Sequence, residues 1–463
     1  MKIKVIGAAG GEVTGSAYVI QTKTARILVD CGMFQGGRKS EALNRPPMRP
    51  EAKLDAVLLT HGHLDHTGRL PLLVQLGYDG PVYATPATID MSTLILVDSA
   101  KLQESEAQRE NRRREPAGQP LKEPLYTMQE VEQIVSRMKP IPYAKAVQIA
   151  EGVQATWVEA GHMLGSASIE LQIDEDGHRK TVLFSGDLGP KGIPILRDFE
   201  TFPRADLVFL ESTYGDRDHR PFMETVEEFV RVVKETVEFG GKILVPTFAV
   251  GRAQLLIGLL GWMFRKKKAR PFPIFLDSPM AIKATKIYQK HREIFDDGMK
   301  RFLSERPLSE DLVTLKATLT AQDSMRINEH KGPCMILAGA GMCNGGRILH
   351  HLKANLWRKE THVLFVGYQG HESLGRRIIE GQPTVKIHGQ PVVVRAQVHT
   401  MGGFSAHAGQ KNLLAWLGAV APSRPRVVVT HGENGPRAAL ASQIHKRFGL
   451  KTTLPRMGET VEF

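Results

Sequence analysis

The part of the sequence that most constrains the fold of this chain is residues 60–68. Within six consecutive positions it carries three histidines and one aspartate, namely His61, His63, Asp65 and His66. The apolar residues 54–59 directly before it predict a buried strand, so this polar cluster begins where a strand ends. In α/β proteins, strand ends hold side chains firmly and the following loops let them converge on a site.

The chemistry of these side chains points to metal binding. Neutral imidazole and carboxylate groups suit zinc, and a catalytic zinc site commonly uses three protein ligands and a water molecule. Four such groups in so short a segment exceed what one metal ion easily takes, so the sequence predicts two metal ions that share this loop. The alternative interpretation is a polar loop that happens to be rich in histidine.

Three further polar residues also follow predicted strands. His162 comes after residues 153–160, and Asp187 comes after residues 181–185, where one carboxylate able to contact both metals would complete a two-metal site. Asp30 ends the predicted strand before a glycine-rich loop. It either orients the metal-binding loop through hydrogen bonds or simply stabilises its own turn.

Bulk composition limits the class of protein and indicates a partner. The chain has 463 residues, of which 42% are hydrophobic and 24% charged, the balance of a globular protein without membrane-spanning segments. Three scattered cysteines, Cys31, Cys334 and Cys343, fit no disulfide framework and favour a cytoplasmic location. The net charge of +12 favours a polyanionic partner such as nucleic acid, with ordinary surface charge as the alternative.

The middle of the chain has a different character from its two ends. Residues 207–390 alternate predicted strands, helices and glycine-rich turns, which is typical of a parallel α/β unit. Residues 390–400 are predicted to form one strand that returns to the first domain. The predicted organisation is therefore one domain formed by 1–206 and 391–463, with a second domain inserted at 207–390.

In their order, these motifs resemble the metallo-β-lactamase superfamily and its β-CASP branch. The resemblance is carried by His61-Gly62-His63-Leu64-Asp65-His66, His162, Asp187, Glu211, Ser405-Ala406-His407-Ala408 and Thr430-His431-Gly432-Glu433. It implies an αββα sandwich with an inserted parallel α/β β-CASP domain. It also implies nucleic-acid processing, similar to that of the ribonucleases that resemble the eukaryotic pre-mRNA 3′-end cleavage endonuclease.

The resemblance also implies a role for each site residue. One zinc would be held by His61, His63, His162 and Asp187, and a second by Asp65, His66, Asp187 and His431. Asp30 would support the ligands. Glu211 and His407 would pair as acid and imidazole and act in catalysis with Asp65. A histidine at position 431 is the family's RNA-type pattern, which favours RNA over DNA.

The predicted function is a zinc-dependent ribonuclease that cuts single-stranded RNA by a two-metal mechanism, as an endonuclease. We expect Ser405, His407 and Arg252 to contact the substrate, and the other eleven histidines, such as His371, to be structural or on the surface. The alternatives are a 5′-to-3′ exoribonuclease, a small-molecule metallo-hydrolase of the same superfamily, and a catalytically inactive RNA-binding scaffold. Whether the chain forms a homodimer stays open.

Overall fold

The computed structural model describes residues 1–36, 38–44, 53–370 and 373–463. These residues form two compact units. Unit 1 comprises Met1–Lys191, Asp198–Asp218 and His407–Phe463. Unit 2 comprises Gly192–Arg197 and His219–Ala406. Along the chain, unit 2 interrupts unit 1 at two places, Gly192–Arg197 and His219–Ala406.

The strands of the described residues are, in chain order, β1 (Lys2–Val5), β2 (Tyr18–Gln21), β3 (Arg26–Val29), β4 (Ala56–Leu58), β5 (Val82–Ala84), β6 (Met138–Pro140), β7 (Val147–Ala150), β8 (Val153–Glu159), β9 (Ala167–Glu175), β10 (His178–Phe184), β11 (Leu207–Leu210), β12 (Lys242–Pro246), β13 (Ile274–Asp277), β14 (Leu315–Ala317), β15 (Cys334–Ala338), β16 (Thr361–Phe365), β17 (Thr384–Ile387), β18 (Gln390–Val393), β19 (Gln397–Thr400), β20 (Arg426–Val429), β21 (Thr452–Thr453) and β22 (Thr460–Glu462).

The α-helices of the same residues are α1 (Arg38–Glu41), α2 (Leu64–Thr67), α3 (Leu70–Gln75), α4 (Pro86–Arg114), α5 (Met128–Ser136), α6 (Phe222–Glu238), α7 (Arg252–Arg265), α8 (Pro279–Lys290), α9 (Asp297–Glu305), α10 (Leu308–Asp311), α11 (Ala321–Glu329), α12 (Ile348–Asn355), α13 (Leu374–Ile379), α14 (Gln410–Val420) and α15 (Asn434–Phe448). Short 3₁₀ turns cover Arg292–Ile294, Gly402–Phe404 and Ala421–Ser423.

Unit 1 is a sandwich of two sheets. Their strand orders are β22-β1-β2-β3-β4-β5-β6 and β21-β20-β11-β10-β9-β8-β7. Residues such as Ile20 and Val29 of one sheet and Trp157, Ile169 and Phe184 of the other share the core between the sheets. Helices α3, α4 and α5 contribute to a second core on the outer face of the first sheet, and α14 and α15 to a third on the second sheet. This arrangement is the αββα sandwich that the resemblance implies.

Alternation along the strands explains this layering. In β1, Ile3 and Val5 are buried while Lys2 and Lys4 are exposed, so one face of the strand lies on the core.

Helix α4 begins at a capping residue. The Thr85 side chain accepts a hydrogen bond from the backbone N–H of Thr88.

Unit 2 is built around a parallel sheet with the strand order β14-β13-β15-β12-β16-β19. Every residue of β13, β15 and β16 is buried, which is typical of parallel strands covered by helices on both faces. Strands β17 and β18 form a separate antiparallel pair. The predicted parallel α/β architecture is confirmed.

Two details differ from the sequence prediction. Residues 390–400 are not one strand: β18 pairs with β17, and β19 pairs with β16 in the sheet of unit 2. Strand β11, which lies beyond the predicted boundary at 207, pairs with β10 and β20 in unit 1. In both cases the local pattern indicates a strand but not its partner, and the partner decides which unit the strand belongs to.

Candidate metal centre

The polar residues that the sequence analysis assigns to the site follow the carboxyl ends of strands in the two sheets of unit 1. Strands β3 and β4 are parallel neighbours in one sheet, and β10, β11 and β20 are parallel neighbours in the other. The residues that follow them directly, or within three positions, are Asp30, His61, Asp187, Glu211 and His431. Parallel strands place their carboxyl ends at the same edge of a sheet, which explains why residues so distant in sequence converge.

One group of ligand atoms gathers around His61. The potential ligand atoms of His61, His63, His162 and Asp187 all lie within 4.8 Å of one another. Nε2 of His162 is 3.0 Å from Nδ1 of His63. Oδ2 of Asp187 is 3.6 Å from Nε2 of His61 and also 3.6 Å from Nε2 of His162. Three imidazole nitrogens and one carboxylate oxygen therefore converge on one point.

A second group lies next to the first. Ligand atoms of Asp65, His66 and His431 are also within 4.8 Å of one another. Nε2 of His66 is 3.2 Å from Nε2 of His431, which in turn is 3.6 Å from Oδ2 of Asp65. The other oxygen of Asp187, Oδ1, is 3.4 Å from Nε2 of His66. Asp187 thus presents one oxygen to each group.

Two of these histidines, His61 and His66, have a hydrogen-bonding partner at Nδ1, the ring nitrogen opposite the ligand atom Nε2. Oδ2 of Asp30 is 2.8 Å from Nδ1 of His66, and it also accepts a 2.8 Å hydrogen bond from the hydroxyl of Thr60. The same hydroxyl is 3.1 Å from Nδ1 of His61. Asp30 is 1% exposed, so its carboxylate depends on these partners rather than on water. Its position agrees with a role in orienting ligands.

The electrostatics of His61, His63 and Asp187 match what a metal ion requires. Burial lowers the pKa of His61 well below its ordinary value and lowers that of His63 to about 4, so both rings are neutral. Burial alone would raise the pKa of Asp187, but interactions with the surrounding histidines, the largest with His431 and His66, more than offset it and lower the pKa. Neutral imidazoles and an ionised carboxylate are the forms that bind metal.

Two buried atoms of this cluster have no hydrogen-bond partner among the described residues. They are Nε2 of His61 and Oδ1 of Asp187, both of which point into the ligand groups described above. Buried polar atoms nearly always have a hydrogen-bond partner, so a buried atom without one indicates that another group, such as a metal ion, binds there. The donor set of imidazole and carboxylate, together with these unpartnered atoms, fits a divalent metal of the zinc type.

A third group joins the site through Asp187. Nδ1 of His407 is 3.5 Å from Oε1 of Glu211 and 3.9 Å from Oδ2 of Asp187. Glu211 is buried, and its two oxygens accept backbone hydrogen bonds from Leu188 at 2.9 Å and Thr213 at 3.1 Å. Burial lowers the pKa of His407, but attraction to Glu211 outweighs this effect and raises the pKa above its ordinary value.

Two predicted substrate residues belong to unit 2. The buried Arg252 side chain donates from Nη1 to the carbonyl of Phe404, one residue before the buried Ser405. Among the histidines predicted to be structural, His351 is fully buried and hydrogen-bonded to Asp277. His371 lies outside the described residues.

The sequence analysis missed two threonines that contact predicted ligands. Thr60 holds His61 and Asp30, as described above. The Thr213 hydroxyl lies 3.1 Å from Nδ1 of His431. Only Thr60 had a signal in the sequence, namely its position directly before His61 at a strand end, where a hydroxyl can reach a ring nitrogen of the ligand.

Comparison with family models decides the classification. The model of the metallo-β-lactamase superfamily matches residues 10–247. The chain belongs to this superfamily. The β-Casp domain model matches residues 253–378, and the model of the Zn-dependent metallo-hydrolase RNA specificity domain matches residues 391–455. The chain is therefore a β-CASP member of the superfamily.

Individual proteins show the same relationship along the whole chain. "Ribonuclease TTHA0252" of Thermus thermophilus is 41% identical over 462 residues, which cover 100% of both chains. "Transcription termination factor FttA" of Methanosarcina mazei is 32% identical, with 98% of this chain and 71% of that protein covered. The FttA protein of Thermococcus kodakarensis is also 32% identical, with 98% and 70% covered.

A solved structure agrees with the fold of this β-CASP protein. A crystal structure of a protein of unknown function from Enterococcus faecalis V583 matches with a TM-score of 0.54 at 12% identity, and the match covers 99% of each chain. Among the described residues, we find no helix that is long and apolar enough to cross a membrane.

Proposed function

We propose that this chain is a zinc-dependent ribonuclease that hydrolyses phosphodiester bonds within single-stranded RNA by a two-metal mechanism. The observation that carries this proposal is the position of Asp187, whose two oxygens face two adjacent sets of ligand atoms. Full-length similarity to a protein named as a ribonuclease and a match to an RNA specificity domain support RNA as the substrate.

Each set of side chains would hold one zinc ion. His61, His63 and His162 would bind the first and Asp65, His66 and His431 the second, with Asp187 bridging both. When bound, two zinc ions lower the pKa of water enough to supply a nucleophile near neutral pH, and they offset negative charge on the phosphate oxygens. Asp30 would keep the His66 ring in the orientation that leaves its Nε2 free.

His407 is the residue we propose for protonating the leaving ribose oxygen. Its Nδ1 faces Glu211, so Nε2 is the ring nitrogen that can give up a proton. The buried Glu211 carboxylate stabilises the protonated ring, and the raised pKa of His407 keeps that proton available near neutral pH. Two backbone N–H groups fix the Glu211 carboxylate in place.

Ser405 and Arg252 remain our predictions for contacts to the RNA. The Arg252 guanidinium already donates to the carbonyl of Phe404, which immediately precedes Ser405 in the chain. We therefore propose that Arg252 also acts by holding the turn of residues 402–404 that leads into Ser405.

The test uses the zinc-loaded protein with three RNA substrates of one sequence: a circle, a linear chain labelled at its 5′ end, and a linear chain labelled internally. We expect cleavage of the circle, because an endonuclease needs no free end. Complete resistance of the circle, with mononucleotides released from the 5′ end of the linear RNA, would replace our proposal with a 5′-to-3′ exoribonuclease.

Two controls separate the remaining alternatives. Asp187→Ala should abolish cleavage of all three RNAs, because it removes the residue that would contact both metals. A thioester and a lactone are offered to the parent protein in parallel. Turnover of either compound with all RNAs intact would indicate a small-molecule hydrolase, and RNA binding without any turnover would indicate a scaffold.

A further inference from the structure

The hydroxyl of Thr213 lies behind the ring of His431. Thr213 follows strand β11 by three positions and is 8% exposed. Its Oγ1 is 3.1 Å from Nδ1 of His431 and 3.3 Å from the backbone carbonyl oxygen of the same residue. The two residues are 218 positions apart in the sequence, so the tertiary fold brings them together.

These two distances fit one assignment of donors and acceptors. The carbonyl of His431 can only accept, so the Thr213 hydroxyl donates its hydrogen there. The oxygen of the hydroxyl is then left to accept a hydrogen bond from Nδ1–H of the ring. A neutral imidazole with its hydrogen on Nδ1 has a lone pair on Nε2. Thr213 therefore favours the tautomer in which Nε2 is free to bind a metal.

The free nitrogen points into the second set of ligand atoms. Nε2 of His431 is 3.2 Å from Nε2 of His66 and 3.6 Å from Oδ2 of Asp65. Oδ1 of Asp187 also approaches Nδ1 of His431, but at 3.5 Å it is farther than the hydroxyl. The shorter contact with Thr213 is thus the one within ordinary hydrogen-bond range.

Two other rings of the centre also have a partner at Nδ1, one a carboxylate and one a hydroxyl. Nδ1 of His66 faces the carboxylate of Asp30 at 2.8 Å, and Nδ1 of His61 faces the hydroxyl of Thr60 at 3.1 Å. His431 contacts Thr213 in the way that His61 contacts Thr60. Partners of this kind fix the ring orientation and tautomer of a ligand histidine, and their removal typically weakens metal binding about 10- to 100-fold.

We propose that Thr213 is a positioning residue for the second metal site, where it sets metal affinity by fixing the tautomer and ring orientation of His431. The inference rests on the proposed two-metal function. Thr213 makes two separate contacts. Its backbone N–H donates to Oε2 of Glu211, and its side-chain hydroxyl contacts His431. A change of side chain therefore alters one contact and leaves the other in place.

The test compares Thr213→Val, which removes the hydroxyl at nearly constant shape, with Thr213→Ser, which keeps it. Zinc affinities of both sites are measured on the metal-free proteins by competition with a chromophoric chelator. We expect Thr213→Val to bind the second zinc about 10- to 100-fold more weakly and the first zinc as the parent does. Thr213→Ser should bind both within about threefold of the parent, because it keeps the hydrogen bond.

Ser212→Ala is the matched control. Ser212 is the neighbouring residue, is also buried, and donates a 2.7 Å hydrogen bond to the carbonyl of Thr430 rather than to a ligand ring. It should keep both zinc affinities. Equal losses in Ser212→Ala and Thr213→Val would mean that any buried hydroxyl here supports the site, and would overturn a specific role for Thr213.

Two further outcomes are decisive. If Thr213→Val disturbs the first site as well, Thr213→Ala removes the hydroxyl without placing a methyl group against His431, and it must then show the selective loss. Parent-like affinity at the second site in either variant overturns the proposal. A parent protein that binds a single zinc, unaffected by His431→Ala, would instead refute the two-metal function itself.

Discussion

The Nε2 atoms of His66 and His431 lie 3.2 Å apart, although the two residues are 365 positions apart in the chain. Each ring has its Nδ1 near another partner, Asp30 for His66 and Thr213 for His431. Burial alone would lower the pKa of His66, but attraction to Asp187 and Asp30 outweighs it and raises the pKa well above its ordinary value. Because metal ligands must be deprotonated, a metal ion held between these two nitrogens would displace a proton from His66.

The first prediction concerns the contribution of His431 to metal binding. His431→Ala should lose the second zinc and, with it, most RNA cleavage, while the first zinc stays bound. Raising the zinc concentration should restore part of the rate. Metal content after gel filtration and cleavage rates at several zinc concentrations measure this. His445→Ala, which changes an exposed histidine of α15, is the control and should behave as the parent.

A second prediction distinguishes the two aspartates of the centre. Asp65→Ala should retain about one zinc, because Asp65 lies only in the second set of ligand atoms. Asp187→Ala should weaken both sites, because its two oxygens face both sets. Zinc content by mass spectrometry or atomic absorption reports the difference. Two tightly bound zinc ions in Asp187→Ala would contradict a bridging role.

The residues of this site that could be predicted from the sequence are those that follow a recognisable buried strand. Buried strands followed within three positions by His61, Asp187 or His431 mark where the predicted ligands lie, because a strand end holds the next few side chains firmly. The structure brings those residues together, as expected from parallel strands that end at one edge. Thr213 escaped notice because a threonine hydroxyl has no pattern of its own, and only its distance from His431 gives it meaning.

The sheet to which a strand belongs is harder to predict, for a physical reason. The pattern of β19 is that of a strand, but its assignment to unit 2 depends on its hydrogen bonds to β16. In the same way, β11 belongs to unit 1 because it pairs with β10 and β20. Pairing is a long-range property that alternation along one segment does not encode.

A third prediction concerns the net charge of +12. If part of this excess contacts RNA phosphates, binding releases counterions, and the affinity should fall ~10³-fold or more between roughly 50 and 200 mM salt. Fluorescence anisotropy with a labelled single strand on Asp187→Ala measures binding without cleavage. An uncharged-backbone analogue of the same sequence is the control. If the affinity for RNA does not change over this range of salt, the excess positive charge does not contact RNA phosphates and is ordinary surface charge.

A fourth prediction concerns pH and the stability of unit 2. The buried carboxylate of Asp277 lies 2.7 Å from Nε2 of His351 and 2.7 Å from Nη1 of Arg347, and it accepts hydrogen bonds from Ser324 at 2.6 Å and Thr318 at 2.5 Å. Burial alone would raise its pKa, but these hydrogen bonds, led by that from His351, more than offset burial and lower the pKa below the ordinary value.

Because the pKa of Asp277 is lower in the folded than in the unfolded chain, the stabilisation is fully present above about pH 4 and is lost as the pH falls below it. Asp277→Asn should therefore melt well below the parent at pH 7, and the difference in melting temperature should shrink toward pH 3. Asp176→Asn, which removes an exposed ion pair with Lys23, should show almost no difference at either pH. A difference for Asp277→Asn that is independent of pH would exclude the charge as its cause.

The last prediction separates His407 from the metal ligands. His407 is the more exposed partner of the pair, with 20% of its side chain accessible against 1% for Glu211, so it can reach a substrate while Glu211 cannot. His407→Ala should keep both zinc ions and bind RNA as Asp187→Ala does. Its single-turnover cleavage rate should nevertheless fall ~10²–10⁴-fold, the usual contribution of a positioned acid.

Glu211 should act through His407, so the two substitutions should not add. Glu211→Gln keeps the shape of the side chain but removes the charge that raises the pKa of His407. In a background of His407→Ala, that same substitution should have little further effect on the rate, since residues that act as a unit are strongly non-additive. Multiplicative losses in the double variant would show that Glu211 and His407 work independently. Loss of zinc from His407→Ala would mean that His407 is a ligand and that the proton comes from another group.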